Sequence, residues 1–114
     1  MAGLSIRMQF EPQRSLAFGS ISGAYMGVGS AVSHPLRQFI IQNLTDATIQ
    51  FSFNGIDDHF PLPAGGLFID DITSNKAISQ GFFLAEGERL YAKTLGSAPT
   101  TGAVYFSAIY GREI

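Results

Sequence analysis

The chain has no cysteine and no tryptophan, and only 14% of its 114 residues are charged. Without cysteine there is no disulfide framework, no thiolate zinc site and no thiol nucleophile. The shortage of charge is informative, because an average soluble domain carries about 25% Asp, Glu, Lys and Arg. The seven Lys and Arg are scattered and the formal net charge is −2, which argues against the basic stripe of a nucleic-acid surface. No apolar run approaches the ~18 residues of a membrane span. Met1 to Arg7 lacks the basic region and long apolar core of a secretory signal, so none is expected. Helical signals are also missing. No window of about 11 residues carries a clean 3.6-residue apolar stripe free of glycine or of a β-favouring run.

What is present is a 46% hydrophobic fraction rich in Phe, with ten Phe and four Tyr. Two-residue alternation recurs. Ile49, Phe51 and Phe53 alternate with Thr48, Gln50 and Ser52, and Ile6, Met8 and Phe10 with Ser5, Arg7 and Gln9. Val104, Phe106, Ala108 and Tyr110 share one face of a strand, and Tyr105, Ser107 and Ile109 the other. The pattern predicts strands over 4–10, 14–18, 36–43, 47–53, 58–62, 67–72, 80–84, 88–94 and 102–110. Turn chemistry separates them. Asn54-Gly55 is the strongest hairpin signal and predicts a positive φ at Gly55. Pro63-Ala64-Gly65-Gly66, Thr73-Ser74-Asn75-Lys76, Glu86-Gly87 and the loop Gly96–Gly102 are further breaks. The expected fold is an all-β, antiparallel β-sandwich of jelly-roll type, one domain spanning 1–114. Gly19 to Ser33 holds four glycines among Ser, Ala and Val, and reads as a glycine-rich loop or flexible arm.

Candidate chemistry is thin. Gly27-Val28-Gly29 opens like a dinucleotide fingerprint but lacks the third glycine and a βαβ context. Asp57, Asp58 and His59, with Asp70 and Asp71 on a strand expected nearby, carry metal-donor groups, but not at the spacing of a calcium loop or zinc site. Solvated turn acids are the expected role. His34 precedes Pro35 and has no sequence partner for a catalytic triad. Asn43-Leu44-Thr45 matches a glycosylation acceptor but reads as a turn, with Asn43 and Asp46 bonding local backbone. Met8 and Met26 read as core or gap fillers. The chain is therefore expected to be no enzyme, with no catalytic, cofactor-binding or metal-binding residues.

From Asn43 onward a series of punctuated strands carries a family resemblance. Gln42-Asn43-Leu44-Thr45 leads to Phe51-Ser52-Phe53-Asn54-Gly55, then to Asp58-His59-Phe60 and Leu62-Pro63-Ala64-Gly65-Gly66. Phe68-Ile69-Asp70, Thr73-Ser74-Asn75-Lys76, Phe83-Leu84-Ala85-Glu86-Gly87 and Leu90-Tyr91-Ala92-Lys93 follow. Thr101-Gly102-Ala103-Val104-Tyr105 and Ile109-Tyr110-Gly111 close it. This pattern resembles small virion structural proteins of tailed bacteriophages. The resemblance implies a multi-copy part of a particle, at the capsid surface, portal or tail. Its expected partners are copies of itself and other virion proteins, with no nucleic acid and no membrane. Unpaired β-edges and the glycine-rich arm are the expected contacts. The alternative function is a glycan- or other ligand-binding β-sandwich module, with Tyr25, Tyr91, Tyr105 and Tyr110 as stacking platforms and Asn54, Asp57 and Asp58 as hydroxyl partners.

Overall fold

A computed structural model describes residues 6–71 and 87–113. Among these residues nine strands form, in order β1 (Ile6–Phe10), β2 (Arg14–Ala17), β3 (Met26–Gly27), β4 (Leu36–Asn43), β5 (Ile49–Ser52), β6 (Phe60–Leu62), β7 (Leu67–Asp71), β8 (Tyr91–Thr94) and β9 (Ala103–Glu113). Phe18–Ser20 makes a short 3-10 turn, and the described residues contain no α-helix. The expected strand over 80–84, the Thr73–Lys76 loop and Glu86 lie outside the described residues.

The strands build two antiparallel sheets packed as a sandwich. Sheet A has the order β1-β9-β4-β7, with β2 also paired to β9, and sheet B has the order β3-β8-β5-β6. Inward positions alternate as the sequence pattern requires. Phe39 and Ile41 of β4, Val104, Phe106 and Ala108 of β9, Ile49 and Phe51 of β5 and Ala92 of β8 fill the space between the sheets. Burying each large side chain contributes about 1.5–3 kcal/mol. Phe39, Phe53 and Phe106 meet edge to face at centroid distances of 5.6–6.4 Å, the arrangement aromatic quadrupoles favour.

β1 and β2 are one strand interrupted by a bulge. Phe10 pairs with Ile109 and Arg14 with Phe106, so Glu11, Pro12 and Gln13 oppose only Ala108 and Ser107. Pro12 has no N–H to give a ladder, which places the irregularity there. The extra residue shifts the side-chain phase, and Glu11 and Arg14 both become buried. At its other end β9 runs past the first residue of β4. Among the described residues Gly111–Glu113 pair with Ile6–Met8 alone, a two-stranded ribbon that contributes to the 53 × 23 × 20 Å shape.

The glycine-rich stretch 19–33 is a loop docked on the sandwich, which corrects the expectation of a free flexible arm. Ile21, Val28 and Val32 are buried in the core. The backbone is tied down by Val28 N–H to Leu90 O at 2.7 Å, Val32 N–H to Glu88 O at 2.9 Å and Gly87 N–H to Val32 O at 2.9 Å. Three apolar anchors and these bonds offset an ordering cost of about 1–2 kcal/mol per residue. The stretch also contains β3, a two-residue edge strand paired with β8. Met26, expected in the core, sits on that edge and is exposed. Gly55 has φ +74° in the β5–β6 connection, as expected, although the turn is a seven-residue loop, Phe53–His59, rather than a tight hairpin.

Candidate functional site

Two loops from distant parts of the sequence converge on the outer face of sheet B. The first is the Phe53–His59 loop, which local hydrogen bonds build. Ser52 Oγ accepts from the N–H groups of Asn54 and Gly55, and Asn54 Oδ1 accepts from those of Ile56 and Asp57. Asn and Ser side chains commonly bond nearby backbone in this way. Asn54 Nδ2 in turn donates to Asp57 Oδ2 at 2.9 Å. The second loop delivers Tyr25, immediately before β3.

Between them runs β8. Leu90 and Ala92 point into the core, so Arg89, Tyr91 and Lys93 line up on the outer face. The Tyr25 hydroxyl donates to Asp58 Oδ1, and Lys93 Nζ lies 3.2 Å from the same oxygen and 4.6 Å from the Tyr25 ring centroid. Burial and the hydrogen bond to Asp58 push the Tyr25 hydroxyl well above the ordinary phenol range. The Tyr25 and Lys93 hydrogen bonds hold the Asp58 carboxyl below the usual carboxylate range. Arg89 crosses Gly27, donating Nε to Gly29 O at 2.7 Å, with its guanidinium carbon 5.5 Å from the Tyr91 centroid. A Cβ on Gly27 would fall 2.1 Å from that guanidinium; the glycine is what lets Arg89 lie flat. Gln50 of β5 pairs across from Lys93 and shares its face, yet is only 6% exposed. Its amide makes one long bond, Nε2 to Phe51 O at 3.5 Å.

A second polar cluster is structural. Glu11, its side chain fully buried, accepts from Arg14 Nη2 at 2.9 Å and from the Ser33 N–H, and pairs with His34 Nδ1 at 2.7 Å. Burial opposes ionisation of Glu11, but the bonds from His34 and Ser33 and the Arg14 charge outweigh it and hold the carboxyl below 4.5. Arg14 also donates to the carbonyls of Pro12, Ser30 and Ala31. The His34 ring stacks on Tyr110 at 3.7 Å, and Tyr110 donates to Gln9. The bulge of sheet A therefore clasps the far end of the glycine-rich loop, whose near end presents Tyr25 to sheet B. The sequence reading missed Arg14, Glu11 and Arg89. A buried Arg–Glu pair three residues apart around Pro12 has no recognisable signature.

Of the residues weighed from sequence, Tyr25, Tyr91, Asn54, Asp57 and Asp58 come together. Tyr105 and Tyr110 lie apart, on β9 in sheet A. The acidic residues do not converge, because Asp70 and Asp71 end β7 in sheet A while Asp57 and Asp58 lie in the loop of sheet B. Among the described residues no three His, Asp or Glu side chains are placed to share a metal ion. His59 Nδ1 is taken by the Phe53 N–H at 2.9 Å. Asn43 of the glycosylation-like triplet is buried, its amide bridging Ala47 O and Leu62 O at 2.8 and 2.9 Å while its oxygen accepts from Thr45. Asp46 reaches across to the N–H and hydroxyl of Thr100.

The outer face of sheet A is of another kind. Register places Phe10, Ile109, Gln38 and Asp71 in one row, Ser107, Ile40 and Ile69 in the next, and Ser15, Tyr105, Gln42 and Leu67 in a third. Of these eleven residues one, Asp71 at the end of β7, is charged. Phe10, Ile69 and Leu67 are 71%, 59% and 53% exposed. Compared with known protein families, with curated proteins and with solved structures, the chain matches none.

Proposed function

We propose that this chain is a structural assembly protein of a bacteriophage particle, packing against copies of itself and neighbouring virion proteins through the outer face of sheet A. The carrying observation is an apolar patch on the outer face of sheet A, made by Phe10, Ile109, Ile40, Ile69 and Leu67 and set among Gln38, Gln42, Ser15 and Ser107. β4 places Phe39 and Ile41 inward and Ile40 outward, and β7 places Phe68 toward the core and Leu67 and Ile69 outward. An antiparallel sheet with one solvated face normally alternates apolar and polar residues. A contiguous exposed apolar patch on a small domain marks a contact surface. The scarcity of charge on this face, where Asp71 is the one charged residue of the three rows, matches it to another apolar surface, and a second copy supplies one.

The resemblance read from the punctuated strands supports the particle. We read the strand order β1-β9-β4-β7 facing β3-β8-β5-β6 as a jelly roll, an architecture that recurs in capsid domains. The β1–β9 ribbon adds to the reading, since an isolated two-stranded ribbon is marginal in water and gains from a neighbour. The docked loop 19–33 takes no part as an exchanging arm, because pulling it away would strip Glu11 and Arg14 of their partners.

Sedimentation velocity of the purified protein tests the self-contact, and mass spectrometry of purified particles tests the location. Concentration-dependent association that Ile69→Lys and Ile40→Lys abolish without changing the far-ultraviolet spectrum, with the chain present in particles, is the expected outcome. A strictly monomeric protein that is absent from particles sinks the proposal.

A further inference from the structure

We propose that the outer face of sheet B is a carbohydrate-binding site that takes a neutral pyranose, with Tyr91 and Tyr25 as the apolar platform and Asn54, Asp57 and Arg89 as hydroxyl partners. A pyranose presents an apolar C–H face and an equatorial rim of hydroxyls that both donate and accept. Its site therefore needs an aromatic surface beside planar groups of both hydrogen-bonding senses. That combination exists here. Asp57 accepts, Arg89 donates, and Asn54 keeps the second N–H of its amide to donate, its oxygen being taken by the loop backbone. All three border Tyr91 or the loop that carries Gly55, whose Cα is close enough for a Cβ there to lie 3.4 Å from the Tyr91 ring.

Charge decides against an ionic ligand. Arg89 and Lys93 face Asp57 and Asp58 on the same surface, so the formal charges cancel, and Lys93 and Asp58 are already paired. A phosphate or sulfate would meet two carboxylates, and a cation two basic groups. A neutral polyol meets neither penalty.

The polar groups are held in place beforehand. Tyr25 and Asp58, 33 residues apart, are bonded to each other, and Asn54 is locked to Asp57. Preorganisation of this kind lowers the ordering cost of binding. Exposed Ile56 at the tip of the same loop adds an apolar rim.

The site lies on the opposite side of the sandwich from the assembly face and does not depend on it. The test is a titration of the labelled full chain with glucose, galactose, mannose and N-acetylglucosamine, following backbone amide shifts, with sodium sulfate as the ionic comparison. The expected result is saturable shifts confined to Tyr25–Gly29, Asn54–His59 and Arg89–Lys93 for at least one sugar. Affinity should fall about tenfold or more in Tyr91→Ala, as for an aromatic anchor. Tyr91→Phe keeps the platform and should bind nearly as the parent does, and Arg89→Gln should weaken binding without disturbing the core. No saturable shift with any sugar up to about 50 mM, where even a very weak site fills appreciably, overturns the proposal. So does sulfate moving the same residues more strongly than the sugars.

Discussion

The two outer faces of this sandwich cover one shared core, yet they differ in almost every physical respect. Sheet A places Phe10, Ile40, Leu67, Ile69 and Ile109 on its outer face with one acid, Asp71, in the same three rows. Sheet B shows Arg89, Lys93, Asp57 and Asp58 interleaved with tyrosines, each charge paired or bonded. The difference teaches where scarce charge is spent. In a chain with 14% charged residues, concentrating four of them over one sheet leaves the other able to lie against protein with little charge to desolvate. The polar sheet keeps groups suited to a wet, reversible contact.

The largest expected effect comes from the joint between the faces. Glu11→Ala leaves the buried Arg14 guanidinium without its carboxylate, and should cost about 3–5 kcal/mol. Urea unfolding reads this, and the loop carrying Tyr25 should lose amide protection as well. If the loop keeps its protection, the two faces are independent and the joint is misread.

Acid should act at the same place. The folded-state pKa of Glu11 lies below its ordinary value of 4.5. Its stabilisation is therefore fully present above about pH 4.5 and is lost as pH falls through the lowered value. The urea midpoint of the parent should drop across that window, whereas Glu11→Gln, already without the charge, should show a smaller drop. Equal drops would assign the acid response to other carboxylates.

On the sheet B side, Gly55→Val should cost roughly 1–2 kcal/mol, because φ +74° disfavours a β-branched residue. The added carbons would also press on Tyr91, so sugar titration of this variant should weaken while association through sheet A stays intact. A neutral Gly55→Val would separate the turn from the platform.

The smallest effect on stability is expected on sheet A. Ile69→Lys should change unfolding free energy by no more than about 0.5 kcal/mol, since the side chain is largely exposed, while association falls away in sedimentation. A large loss of stability with association unchanged would show Ile69 to be serving the fold rather than a partner.

Strand positions were legible because alternation is a local property. β2, β4, β7 and β9 start or end within a few residues of where the pattern places them, and the glycine of Asn54-Gly55 has the backbone conformation its turn demands. The candidate site was legible only in part. Tyr25, Tyr91, Asn54, Asp57 and Asp58 are visible as residue types, but so are Tyr105 and Tyr110, and nothing local distinguishes the two groups. The glycine-rich stretch misled because its composition reports freedom of the backbone, while its fate depends on Ile21, Val28 and Val32 finding a core to enter.

By itself the sequence determined an all-β chain, its turns and the faces of its strands, because side-chain alternation and φ preferences act over a few residues. Only the tertiary structure decided which acids meet which bases, that the bulge at Pro12 turns Glu11 and Arg14 inward to hold the loop, and that charge gathers over one sheet and leaves the other. Those outcomes depend on pairings between residues such as Tyr25 and Asp58, or Asp46 and Thr100, that are far apart in the chain and adjacent only after the sheets have packed.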